Sequence, residues 1–274
     1  MNKILALIFL IFTSIFNLNS QNSGVVKYKF IRNDKQPFEY DLYFNSNESI
    51  FITNQGSRKK VLKVLEKNLK LDTFGITDKE LIEAATLQKT ILTYDFDEEG
   101  DVFYKNFRNN KLIFRLVNKN NPIIVSEPQI PKLKWSLQQE ETKIIGKFIC
   151  QKATTSFRGR DYEAWYTLEI PISNGPWKFQ GLPGLILEIY TTDKDRSFSY
   201  TIESIEILSN INEKIKPPIL GEKRDIFSYQ KEIEEKENER IKKINSQSQE
   251  NRSGFIITRS IIPFQELDYN DIKK

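Results

Sequence analysis

Arg158 and Arg160 flank Gly159, a spacing that suits a tight hairpin. Two guanidinium groups held so close could clamp a carboxylate or phosphate in bidentate fashion, or stand in solvent as ordinary turn residues. Just downstream, the run 162–170 alternates. Tyr162, Ala164, Tyr166, Leu168 and Ile170 share one face of an extended segment, and Glu163, Trp165, Thr167 and Glu169 share the other. A tryptophan among polar neighbours could line a groove for an apolar ligand or anchor a partner, unless another element covers it. Trp165, Tyr166, Trp177 and Leu182, together with Arg158, are therefore the candidate ligand- or partner-binding residues.

Other side chains offer weaker chemistry. Glu163, Glu169 and Glu188 could supply paired carboxylates for glycoside cleavage, but a chain with 37 acidic residues offers many such pairs. The cluster Asp95-Phe96-Asp97-Glu98-Glu99-Gly100-Asp101 has acids at the first, third and fifth positions of a calcium loop and glycine at the sixth. Its twelfth position is Asn106, where a bidentate glutamate is needed, so an acidic hairpin turn is expected there and no metal. Cys150, beside the apolar Ile149, reads as a buried, inert thiol.

The chain has no histidine, one cysteine and a single methionine at its start. A Ser-His-Asp or Cys-His nucleophile, a histidine-ligated zinc site and a methionine-rich copper site are excluded within this chain alone. No intramolecular disulfide is available, so the core must hold the fold. We expect no cofactor.

These residues need a scaffold and a compartment. Lys3 precedes an apolar run at 4–16, broken only by Thr13 and Ser14, and polar residues follow. That pattern predicts a secretory signal over 1–20, with cleavage after Ser20. The run is too short for a membrane span, which needs about 20 residues. The remaining segment 21–274 is expected to form one β-rich domain, unacylated, exported to the periplasm or beyond, with no permanent span. The chain's 41 basic and 37 acidic residues are interspersed, which is not a nucleic-acid footprint. The basic cluster 58–70 is expected to be a solvated face.

Alternating apolar and polar residues predict antiparallel strands at 25–32, 38–44, 49–53, 91–96, 102–107, 112–117, 123–126, 135–138, 144–157, 162–170, 185–190 and 198–208. Thr77 and Glu80 form a capping box for a short helix over 78–88, and 58–71 suits helix or strand equally. One long helix is predicted over 225–247. Ile226, Tyr229, Ile233, Ile241 and Ile244 form an interrupted stripe and spacing-four charge pairs lie on its surface, so it should be partly detached. The fold class is mainly β, a large curved antiparallel sheet or incomplete barrel with these two helices.

The segment 175–186 is rich in residues that fix the backbone. Pro183 presets φ at the second position of a β-turn and Gly184 permits positive φ at the third, which predicts a type II turn feeding the strand at 185–190. Gly181, Pro183 and Gly184 are thus structural. Here the chain resembles the GLPGLI family of exported bacterial proteins, named for the hexapeptide that stands intact at 181–186. The similarity extends to Trp135, to 145–153, to 157–160 and to 164–167. It implies a signal peptide, a β-rich fold and an envelope or secreted location, and no activity, since the family's function is unassigned. A looser similarity of layout links the chain to the curved half-barrels of periplasmic lipoprotein carriers. The expected function is a non-enzymatic binding or accessory module for an apolar ligand or envelope protein. A carboxylate-based, glycosidase-like hydrolase and a structural accessory of an outer-membrane assembly are the alternatives.

Overall fold

The alternation becomes a single sheet. The structure, a computed structural model, describes residues 23–32, 38–53, 99–118, 121–192, 198–209 and 211–250. Its strands are β1 (Gly24–Arg32), β2 (Phe38–Phe44), β3 (Glu48–Thr53), β4 (Val102–Asn106), β5 (Lys111–Asn118), β6 (Asn121–Glu127), β7 (Ser136–Ile145), β8 (Phe148–Phe157), β9 (Arg160–Thr167), β10 (Leu185–Thr191), β11 (Phe198–Ile207) and β12 (Glu222–Asp225), and its helix is α1 (Ile226–Glu250). The expected signal at 1–20, helix at 78–88 and strand at 91–96, the run 58–71 and the acidic stretch 95–98 lie outside the described residues.

Two meanders make the sheet. β1 to β6 pair in succession, β7 to β11 do the same, and β11 joins the halves by pairing antiparallel with β1. β12 returns beside β6 in parallel, so the sheet is open, with β12 and β7 at its edges. It must nevertheless curl strongly. β6 and β7 stand ten positions apart in the sheet, about 48 Å if it were flat. The chain from Glu127 to Ser136 connects them, and that length reaches at most about 32 Å. Arg158, at the β8–β9 turn, also lies 2.7 Å from Glu127 at the end of β6.

The concave face is aromatic. Phe30, Tyr40, Phe51 and Tyr200 pack with centroids 4.7 to 6.0 Å apart, and Phe103, Phe114, Phe157 and Tyr162 continue the cluster. A smaller core on the other face places Val25, Ile50, Val102 and Tyr104 under Ile211 and Ile215. β10 is buried on both faces through Leu185, Ile186, Leu187 and Ile189, as expected of a central strand. Edge strand β7 is largely exposed and slips register against β8 between Gln138 and Thr142. That irregularity and the charges of Glu140 and Glu141 blunt the edge against further pairing.

The structure corrects three boundaries. The predicted strands at 135–138 and 144–157 become β7, which runs on to Ile145, and β8, because the chain reverses at Gly146 (φ +61°) and Lys147. The strand at 162–170 ends at Thr167. β12, Glu-Lys-Arg-Asp with no apolar residue, was not anticipated, because its pairing comes from its neighbour. α1 begins as predicted, with Asp225 Oδ1 accepting from the backbone N–H groups of Phe227 and Ser228 at 2.9 and 3.0 Å. Only its first turns are buried, through Ile226, Tyr229 and Gln230. Among the described residues, no helix is long and apolar enough to cross a membrane.

Candidate functional site

The segment 168–184 joins β9 to β10 and turns into the concave face. The expected type II turn at Pro183-Gly184 is not what bends it. Within the hexapeptide, positive φ belongs to Gly181 (+97°) and not to Gly184. The hydrogen-bonded turn lies earlier, where the Phe179 N–H donates to Pro176 O at 3.1 Å and Trp177 adopts φ +52°. This uncommon conformation for a bulky residue aims Trp177 among Phe103, Phe157 and Phe179, at centroid distances of 5.0 to 6.4 Å. Gly184 serves close approach instead, since a Cβ there would stand 1.9 Å from Thr167 O.

Three polar anchors hold this segment inside. Trp135 Nε1 donates to Gln180 O at 2.9 Å, and Gln180 Nε2 donates to Pro131 O at 3.0 Å. Fully buried Lys105 donates to Asn174 Oδ1, Gly175 O and Phe179 O at 3.0, 3.1 and 2.8 Å. Glu127, also buried, accepts both terminal nitrogens of Arg158, at 3.1 and 2.7 Å, and Lys178 Nζ at 2.5 Å. Lys178 Nζ sits 4.1 Å from the Phe114 ring centroid as well. Burial alone would raise the Glu127 pKa, but Lys178 and Arg158 prevail and hold it below the usual carboxylate range.

Burial pulls the Lys105 amine down to about 7, which has a measurable consequence. An unfolded lysine keeps its proton up to about pH 10.4. Between about pH 7 and that value the unfolded chain binds a proton that the folded chain lacks, so this group's contribution to stability rises with pH. Against Lys105→Met, wild type should gain up to about 1.4 kcal/mol per pH unit across the window. Urea midpoints at about pH 7 and about pH 9 measure this, and a constant difference between the two proteins would contradict it.

The sequence-derived site is therefore inside the protein. Trp165 is 8% exposed, and Tyr166, Trp177, Leu182 and Arg158 are 5% or less. The expected aromatic surface beside the turn is thus corrected: these side chains are core, Trp177 and Leu182 because the segment folds inward and Trp165 because it is covered on the sheet's other face. The Arg158-Gly159 hairpin is as tight as expected, with φ of +47° and +80°. Arg158 does grip a carboxylate, but it is the chain's own Glu127 rather than a ligand or solvent. Arg160 is likewise buried.

On the opposite face Trp165 Nε1 donates to Glu163 Oε1 at 3.1 Å, and Lys143 Nζ stands 4.4 Å from the Trp165 centroid. Burial pushes the Glu163 pKa up, yet hydrogen bonds from Tyr190, Lys152 and Trp165 outweigh it and leave the group more acidic than usual. Glu188 pairs with Lys143 at 2.7 Å, and Glu169 accepts from the Ile149 N–H at 2.9 Å. Glu163 thus lacks the raised pKa that a glycosidase acid needs. Burial pushes the Cys150 thiol up to about 11, in keeping with an inert group. Among the described residues no cluster of metal-ligating side chains occurs.

An open concavity exists elsewhere. A groove of about 730 Å³ lies between β5–β6, β12 and α1. Leu116, Val117, Pro122, Ile123, Tyr229 and Ile233 supply its apolar lining. Gly221 brings β12 in, as its φ of +146° and a would-be Cβ 2.8 Å from Pro122 O require glycine. Arg115 fastens the same segment by donating from Nε to Leu220 O at 2.7 Å. Sequence reasoning found the Tyr229 and Ile233 stripe but not the groove, because nothing local marks β12 as its third wall.

Comparisons with known proteins add the following. Residues 158–188 match a family model described as a protein of unknown function, Porph_ging. No curated protein matches the chain. Two structures of PNGF-II are similar over 76% and 77% of this chain, at 18% and 17% identity and TM-scores of 0.48 and 0.49. The chain spans about a third of their length, 32% in each case. A LolA superfamily protein from Nitrosomonas europaea is similar over 72% of this chain and 90% of its own, at 10% identity and a TM-score of 0.29.

Proposed function

We propose that this chain is an exported, non-enzymatic binding module of the bacterial cell envelope, of the GLPGLI type, that holds the apolar part of a ligand in the groove beneath α1. The groove carries this reading: its volume of about 730 Å³ falls within the range of small-molecule sites, and such sites pair apolar walls with a few polar groups. The intact hexapeptide at 181–186 lies within the matched span 158–188 and supports the family. The charged start and apolar run of 4–16 support export. In this account Trp177, Phe179 and Leu182 are scaffold, because they fill the concave face that a ligand would otherwise enter, and Trp165 is packed on the opposite face.

The neutral apolar dye N-phenyl-1-naphthylamine tests the site. It should bind saturably at one equivalent, and Ile233→Trp, which fills the groove, should weaken binding by about tenfold, or roughly 1.4 kcal/mol. Trp165→Phe should leave binding unchanged. Absence of saturable uptake, or a loss that follows Trp165→Phe and not Ile233→Trp, would sink the proposal.

A further inference from the structure

We infer that the ligand of this groove is an amphiphile whose head is zwitterionic, with no net charge; this rests on the groove function proposed above. The four charged residues lining the groove are Glu222, Arg224, Glu232 and Lys236, and they form one alternating ladder. Arg224 holds Glu222 through both terminal nitrogens, with Nη2 to Oε2 at 2.8 Å. Its Nε faces Glu232 Oε2 at 3.7 Å, and Lys236 Nζ holds Glu232 Oε1. Two carboxylates and two cations cancel, so the rim carries no net charge to draw in an ion of either sign.

The ladder's order says more than its sum. Arg224 and Glu232 are inner members, each engaged on two sides, whereas Glu222 and Lys236 are end members with one partner each along the ladder. The end members are also the more exposed, at 64% and 56% of their side chains against 30% and 36% for the inner pair. An anionic head would satisfy Lys236 but lie beside the exposed carboxylate of Glu222, and a cationic head would do the reverse. A zwitterion engages both ends without breaking an inner pair, while its chain lies along Leu116, Ile123 and Ile233. A ladder that merely staples α1 to β12 would show no such preference for head groups.

Three single-chain probes of equal chain length, each below its micellar concentration, separate the possibilities: a lysophosphatidylcholine, a lysophosphatidylglycerol and an alkyltrimethylammonium. Displacement of N-phenyl-1-naphthylamine should rank the zwitterion tighter than either charged probe by about threefold or more, the scale of one exposed charge at several ångströms. Glu222→Gln should move the preference toward the anion and Lys236→Gln toward the cation, by similar factors. If every probe fails to bind, the groove function and this inference fall together. If a charged probe binds wild type as tightly as the zwitterion, or the two variants shift the ranking in the same direction, this inference alone is overturned.

Discussion

Replacing Glu127 by glutamine should destabilise the fold by about 3–5 kcal/mol, the usual cost of removing one partner from a buried ion pair. Arg158 and Lys178 both point at this carboxylate, and neither reaches water. Without it, two cations would remain buried against each other and against the Phe114 ring. Replacing all three residues with apolar ones of similar volume, Glu127→Leu with Arg158→Met and Lys178→Met, should recover most of the loss, because the desolvation cost disappears with the charges. The pH dependence has a defined sign. The Glu127 pKa is lowered in the fold, so its stabilisation is present above the unfolded value of about 4.3 and is lost as pH falls. Urea unfolding measures both effects, and a loss under about 1 kcal/mol for Glu127→Gln would mean that the cluster is hydrated.

Gly184→Ala should cost about 3 kcal/mol, the upper range for forcing a methyl into a packed site. The methyl would meet the backbone oxygen of Thr167 at 1.9 Å and its carbonyl carbon at 2.7 Å, and neither atom can swing aside as a side-chain tip can. The start of β10 would have to move away from the end of β9. Gly181→Ala is the informative control. Gly181 has the positive φ, but a Cβ there meets only the Trp135 indole, at 3.4 Å, so its loss should stay near about 1 kcal/mol. An equal or larger loss at Gly181 would show that dihedral strain at the hexapeptide's first glycine, and not close approach at its second, is the stronger constraint.

The strands were legible because period-two alternation is a local property, and β1, β2, β5, β10 and β11 lie within a residue or two of where the alternation places them. The curl of the sheet was expected in kind, but its extent depends on which strands neighbour each other. A connection as short as 128–135 reveals that only once β6 and β7 are known to be far apart. The site was misread for a related reason. Trp177 and Leu182 looked like surface residues because they sit among prolines, glycines and charges, and no local pattern distinguishes a loop that crosses solvent from one that folds into a concave face; Trp165 did so because its strand face is otherwise polar. A usable signal did exist. Lys105 lies on the same strand face as Phe103, and Glu127 on the same face as Val125. Charges at apolar parity announce buried polar anchors, and something must enter the concavity to meet them. The Arg158-Gly159 turn was read as either a clamp for a ligand or a solvated turn, and it is neither: its partner is the chain's own Glu127, 31 residues away in sequence, a distance that periodicity does not span.

Photocrosslinking with a diazirine-bearing aliphatic amphiphile, followed by peptide mapping of the full chain, tests most directly where an apolar ligand is held. The label should fall on 116–123 and 229–236, the sheet and helix walls of the groove, and excess unlabelled amphiphile should remove it. Labelling concentrated at Tyr166, Trp177 or Leu182 would contradict the account, because it would mean that the segment 168–184 leaves the concave face and the sheet itself binds the ligand.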